Sequence, residues 1–205
     1  MKIETVSVDS VMVYIGEIIS EVVLDELQSA YVSLKALDYI IDLTPSYTSI
    51  LVQYDIFHYD SDSIKEAIIK HLFGQNTKHA IKQGKLIEIP VDYSQGLDLQ
   101  RVADYHGISC EEVIAKHIGK TYRVYAIGFM EGFAYLGKVD DTIITPRLDS
   151  PRKKIPKGSV AIAEVQTAIY PLDSPGGWNI LGVTDFDDFA LFEVGDRVRF
   201  LDVRI

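Results

Sequence analysis

From Pro146 to Trp178 the chain reads PRLDSPRKKIPKGSVAIAEVQTAIYPLDSPGGW, with Pro146, Pro151, Pro156, Pro171 and Pro175 set around one strand-like run, Ser159–Glu164. Each proline fixes its own φ and withholds a backbone donor, so neither a helix nor a long central strand can run through this segment. Short strands and tight turns remain, which is how a chain shapes a surface or a pocket. The flanking sequence agrees. Tyr122–Phe129, Ile180–Val183 and Arg197–Val203 are short apolar runs separated by Gly and Pro, the pattern of a barrel or sandwich.

Upstream the pattern changes. Val6–Ile15 alternates and is β-branched, which predicts a strand. Ile18, Ile19, Val22, Val23, Leu27, Tyr31, Leu34, Leu37 and Ile41 recur at helical spacing and predict one long amphipathic helix ending before Pro45. Ser49–Tyr54 reads as a second strand. Ser63-Ile-Lys-Glu66 reads as a capping box opening a helix (Ile64, Ile68, Leu72, Phe73) that Gly74 would end, and Lys85–Val91 as a third strand. The order β-α-β-α-β implies a small α+β domain of ferredoxin-like type. Two short helices, Leu97–His106 and Ser109–His117, then precede the turn-rich β region, the second opening with the capping box Ser109-Cys-Glu-Glu112. The expected division is an α+β domain over residues 1–88 and a mainly β domain over 89–205.

The net charge of −10 over 205 residues disfavours binding to a phosphate backbone, where affinity comes from excess cations, but leaves room for a local patch that takes a small anion. One cysteine, Cys110, supplies neither an internal disulfide nor a zinc cluster, and the five histidines show no metal-ligand spacing. The start, MKIETVSVDS, lacks a long apolar core and no apolar run reaches spanning length. These features predict a cytoplasmic protein with no membrane or nucleic-acid partner and no bound structural metal.

Two motifs imitate functional ones. Gly132 to Lys138 has the glycine and lysine spacing of a phosphate-binding loop, but Val139 follows where a hydroxyl should meet magnesium, and Phe-Ala-Tyr-Leu fills an interior that should be small. Leu97–His117 has helix-turn-helix spacing, but its second helix opens Ser-Cys-Glu-Glu, which repels phosphate, so a packing hairpin is expected. Cys110 and His117 read as structural residues. Asp173-Ser-Pro-Gly-Gly-Trp178 allows two readings: Gly176 and Gly177 present N–H groups to a carboxylate or oxyanion with Trp178 as a wall, or the segment is a tight turn carrying a core tryptophan. Arg147 and Arg152, each beside a proline, are either carboxylate-binding forks or solvated loop cations.

Gly128-Phe-Met-Glu-Gly-Phe-Ala-Tyr-Leu136, Pro146-Arg147, Pro151-Arg152, Ile155-Pro156-Lys-Gly158-Ser-Val-Ala-Ile-Ala163, Gln166-Thr167, Ile169-Tyr-Pro171 and Ser174-Pro-Gly-Gly-Trp178 together resemble the carboxyltransferase-type allophanate hydrolase subunit 1 family. Asp9, Tyr54-Asp55, Ile89-Pro-Val91, Asp98, His117, Tyr122 and Val124 fit the same pattern. That family includes the B-type subunits of bacterial ATP-dependent 5-oxoprolinases and the KipI-type inhibitors of sporulation sensor histidine kinases. The resemblance implies a small α+β domain followed by a cyclophilin-like barrel. It also implies work with sister subunits A and C that converts 5-oxo-L-proline to L-glutamate using ATP and magnesium. Inhibition of a sensor histidine kinase is the alternative, and urea-derived chemistry ranks below both.

In this picture Gly176 and Gly177 donate amides, Trp178 forms a wall, Gln166 pairs with an amide and Arg147 or Arg152 holds the substrate carboxylate. Tyr170 and Ser174 belong to the same binding set, and Phe129, Glu131, Gly132 and Phe133 form a pocket loop. The chain departs from the family pattern at Glu131 and Ala134, where prolines are usual, at Ala168, where glycine is usual, and at Val183, where arginine is usual.

Overall fold

The computed structural model describes residues 2–74 and 84–204. The chain forms two compact units, residues 1–83 and 84–205. In the first, β1 (Lys2–Ser7) and β2 (Ser10–Tyr14) make a hairpin. Helix α1 (Glu21–Lys35), a second hairpin of β3 (Ile40–Ser46) and β4 (Ser49–Tyr54), and helix α2 (Ser61–Gly74) follow. The strands form one antiparallel sheet in the order β1-β2-β4-β3. Val11, Val13, Ile50, Val52 and Tyr54 alternate inward to meet Leu27, Ala30 and Leu34 of α1 and Ile64 and Ile68 of α2. Fully burying side chains of the Val, Ile and Leu type contributes about 1.5–3 kcal/mol each before entropy is counted.

The element order is therefore hairpin-helix-hairpin-helix instead of the ferredoxin-like β-α-β-α-β. The run Val6–Ile15 folds back at Asp9, whose carboxylate accepts from Ser7 Oγ, Ser10 Oγ and Gln53 Nε2. The long helix expected over 18–41 begins at Glu21, capped by Ser20 Oγ, and stops at Lys35. Ile40 and Ile41 pass into β3, which holds Pro45 because an edge strand has a side on which no N–H is needed. The cap of α2 is Asp60, whose carboxylate takes the N–H groups of Asp62 and Ser63, so the helix starts two residues before Ser63. Gly74 is its last described residue, and the expected stop there adjoins residues outside those described.

The third expected strand, β5 (Leu86–Val91), belongs to the second unit. There α3 (Leu99–His106) and α4 (Cys110–Ile118) are followed by β6 (Thr121–Ile127), β7 (Ala134–Gly137), β8 (Arg152–Ile155) and β9 (Ser159–Ala163). The last strands are β10 (Gln166–Ile169), β11 (Ser174–Gly176), β12 (Asn179–Val183) and β13 (Arg197–Asp202). Seven strands make a sheet in the order β12-β9-β10-β7-β6-β13-β5, antiparallel except for the parallel pair β13 and β5. Its two edges meet. Asp92, just after β5, exchanges backbone hydrogen bonds of 2.8 and 3.1 Å with Val183 of β12, so the sheet nearly closes into a barrel. Gly182 permits this seam, because a Cβ there would lie 2.7 Å from Val91 Cγ1 and 2.9 Å from Asp92 O.

Ile89, Val91, Val124, Leu136, Val160, Ile162, Leu181 and Phe200 fill the barrel, and Val102, Ala103, Val113 and Ile114 of the helical pair join them. The capping box at Ser109 and Glu112 is complete. The pair α3–α4 is thus a packing hairpin, and the phosphate-loop imitation becomes a turn and strand β7. His117 is fully buried: Tyr93 O–H donates to Nδ1 (2.7 Å), Nε2–H donates to Thr167 Oγ1 (2.9 Å), and that hydroxyl donates to Ala161 O. Burial pushes its pKa down to about 3, so the ring is neutral and structural. Cys110 is half-buried and its thiol donates to Gln100. No helix among the described residues is long and apolar enough to cross a membrane.

Candidate functional site

Because side chains alternate across a strand, the barrel sheet has a second face. On β9, Val160 and Ile162 point into the large core while Ala161 and Ala163 point away from it. On β7, Leu136 points in and Tyr135 out. Ala161, Ala163 and Ala168 make a shallow floor on that second face, low enough for aromatic rings to lie on it. Phe133 is the hub, edge-on to Tyr135 (4.9 Å between centroids), Tyr170 (5.3 Å) and Trp178 (5.7 Å). Tyr135 also lies 6.0 Å from Trp178. Phe133, Tyr170 and Trp178 are buried, whereas Tyr135 is half-buried and lies at the rim.

Arg147 sits over this cluster, its guanidinium carbon 5.8 Å from the centre of the Trp178 ring, within the range of a cation–π contact. Its backbone is bracketed by the segment that carries the tryptophan. Asn179 Nδ2 donates to Pro146 O (3.0 Å) and Leu148 N–H donates to Gly177 O (2.7 Å), so residues on both sides of Arg147 are tied to residues on both sides of Trp178. Among the described residues the Arg147 charge forms no ion pair with a carboxylate. The site thus offers an exposed guanidinium on an aromatic wall, beside two phenols. Burial holds both phenols neutral, Tyr170 up to about 12, although the nearby Arg147 charge pulls the other way.

The remaining expected site residues take other places. Arg152 is not an open fork: both terminal nitrogens are bound to Asp98 at 2.7 and 2.9 Å. Gly176 and Gly177 do not use positive φ. Gly176 lies in β11 opposite Arg152, and its need is space, because a Cβ would fall 2.4 Å from Tyr170 Oη and 2.8 Å from Ile155 Cδ1. A Cβ at Gly177 would meet nothing closer than 3.6 Å. Gly176 is thus close-packed in a strand, and at Gly177 the tie to Leu148 uses the carbonyl and not the N–H. Ser174 Oγ is buried with no hydrogen-bond partner among the described residues. Gln166 begins β10 and shares by alternation the face of Ala168 and Tyr170.

The loop from 128 to 133 closes the β6–β7 connection with Gly128 N–H to Phe133 O (3.1 Å) and Phe133 N–H to Met130 O (3.2 Å). Gly132 takes a φ of 76° and Phe129 a φ of 68°, an unusual conformation for a bulky residue. Phe129 is 65% exposed and stacks edge-on against Phe133, while Glu131 stands exposed at the tip. Of the family departures, Ala168 lies in the floor, Ala134 faces the barrel core, and Val183 lies at the seam. Sequence reasoning missed Tyr135, since β7 was hidden inside the imitation phosphate loop. It also passed over Asp98 as a partner. Among the described residues no three His, Cys, Asp or Glu side chains are grouped to hold a metal ion.

A nearly closed barrel with a turn-built aromatic site on its outer face places the chain in a class, and comparison agrees. The chain belongs to the family described as carboxyltransferase domain, subdomain C and D, whose model matches residues 1–195. It is 33% identical over 223 aligned positions to the B-type subunit of 5-oxoprolinase from Bacillus subtilis (strain 168), covering 98% of this chain and 92% of that protein. The crystal structure of TTHA0988 superposes with a TM-score of 0.80 at 35% identity, over 97% of this chain; the match spans 40% of that longer chain. The Kluyveromyces lactis urea carboxylase, at 16% identity, shares the fold with a TM-score of 0.73, over 95% of this chain and 21% of that one.

Proposed function

We propose that this chain is the B-type subunit of an ATP-dependent 5-oxoprolinase, acting with sister subunits A and C to open 5-oxo-L-proline to L-glutamate. The observation that carries this reading is the near full-length match to the B-type subunit of the Bacillus subtilis 5-oxoprolinase. The site chemistry supports it. The substrate is a small flat lactam with one carboxylate, and the site pairs a guanidinium with an aromatic wall. Arg147 takes the carboxylate, Trp178 and Tyr135 flank the ring, and Gln166 reaches the lactam amide, which its carboxamide matches as donor and acceptor. ATP, with magnesium, serves the assembled complex: phosphorylation of the lactam oxygen weakens amide resonance so that water can attack. The second unit is read as the cyclophilin-like barrel of this family, in a cytoplasmic protein.

The test is ATP-dependent glutamate release from 5-oxoproline by this chain alone and after mixing with sister subunits. Turnover that needs the mixture supports the reading. Absence of turnover in a verified assembly would return weight to inhibition of a sensor histidine kinase.

A further inference from the structure

Asp98 stands just before α3, where a carboxylate ordinarily caps the helix, yet its side chain makes no cap bond. It is 4% exposed and turned toward two other strands. Its Oδ1 and Oδ2 take the two terminal nitrogens of Arg152 on β8, and Oδ2 also accepts the Ile180 N–H of β12 at 2.8 Å. The Asp98 N–H donates back to Ile180 O at 2.9 Å. Arg101, one turn along α3, donates to the Asn179 side chain. The first turn of α3 therefore grips the two residues that follow Trp178. Through Arg152, which lies opposite Gly176, the same carboxylate grips the β8–β11 strand pair, whose second strand leads into Trp178.

We infer that Asp98 is a positioning residue: by joining Arg152 to the Ile180 amide it fixes the Trp178 segment against the β8–β11 strand pair and so sets Trp178 under Arg147. The inference deepens the proposed function, since what it positions is the wall and anchor for the substrate carboxylate. Removing the Asp98 charge leaves a guanidinium with no matched acceptor beside the β8–β11 strand pair, and the placement of that pair against Trp178 loosens.

Trp178 is the only tryptophan in the chain, so its fluorescence reads this site alone. Asp98→Asn, Arg152→Met and the double variant are compared in the isolated chain by emission spectrum, and in the full complex by kinetics on 5-oxoproline. For Asp98→Asn the expectation is red-shifted emission, with KM raised about tenfold while kcat stays within about threefold. The double variant should be no worse than Asp98→Asn alone, because both remove one link. A folded Asp98→Asn with wild-type emission and KM overturns the inference. So does a variant that merely lowers the amount of active protein at unchanged KM. If Asp98→Asn fails to fold, Arg152→Lys, which keeps the charge and loses the fork, is read in the same two assays and carries the same expectations. A wild-type complex with no turnover counts against the proposed function alone, and the emission spectra still decide the role of Asp98.

Discussion

Gly176→Ala separates a steric role for the glycine pair from an amide-cradle role. The added Cβ would lie 2.4 Å from Tyr170 Oη, 2.8 Å from Ile155 Cδ1 and 3.2 Å from Tyr170 Cζ. Tyr170 and Ile155 are both buried, so neither can swing clear. Overpacking of this kind costs about 1–3 kcal/mol. A loss of about 1–3 kcal/mol corresponds to a fall of roughly 3–15 °C in the melting of the second unit. Gly177→Ala is the control. Its Cβ meets only ordinary contacts and its φ is not positive, so the substitution should be neutral or stabilising by about 0.4–1 kcal/mol through the unfolded chain.

The assay is urea unfolding of the isolated chain followed by Trp178 emission. Gly176→Ala combined with Tyr170→Phe should cost less than the sum of the single changes, since the clashing oxygen is gone. Equal losses at Gly176 and Gly177, or full stability of Gly176→Ala, would refute the packing argument and favour the cradle.

Other expectations follow from the same geometry. Arg147→Met should leave stability within about 1 kcal/mol, as an exposed cation–π contact contributes little, and should raise KM for 5-oxoproline in the complex with little change in kcat. The buried His117 ring takes no proton until about pH 3, whereas the unfolded chain binds one near 6.5, so stability should fall by about 1.4 kcal/mol per pH unit as pH drops through that window. Above pH 6.5 this contribution is constant, and His117→Gln should flatten the acid slope measured by urea midpoints at successive pH values. In Phe129→Gly, relief of the left-handed backbone by about 1–2 kcal/mol offsets the lost edge contact with Phe133, about 0.5–1.5 kcal/mol. Melting should therefore barely move, while complex activity falls because the exposed ring is gone. Normal activity would make Phe129 incidental.

Much of the architecture was legible because it rests on local rules. The Ser109–Glu112 capping box, the helical pair it opens, and strands β6, β9, β12 and β13 follow from short-range patterning and appear where the residues place them. Errors arose where a neighbour distant in sequence decides. Pro45 reads as a stop, yet sits inside β3, because only the sheet order shows that β3 is an edge. Val6–Ile15 alternates like one strand, yet turns at Asp9, because Gln53 of β4 supplies part of the hydrogen bonding. Lys85–Val91 was readable as a strand, but its partner lies more than a hundred residues away in β13.

The site divides in the same way. The residue types fixed its ingredients: prolines that force turns, alanines too small to fill a sheet face, one tryptophan, and arginines beside prolines. Tertiary structure alone chose between the two arginines, because charge and fork are identical in sequence and only Asp98, beside one of them, decides which is already bound. It alone showed that Gly176 yields space to a phenol and that His117 is sealed inside the barrel. Local propensity and alternation act over a few residues and can be read along the chain. Pairing, burial and charge compensation depend on which residues the closed sheet brings together.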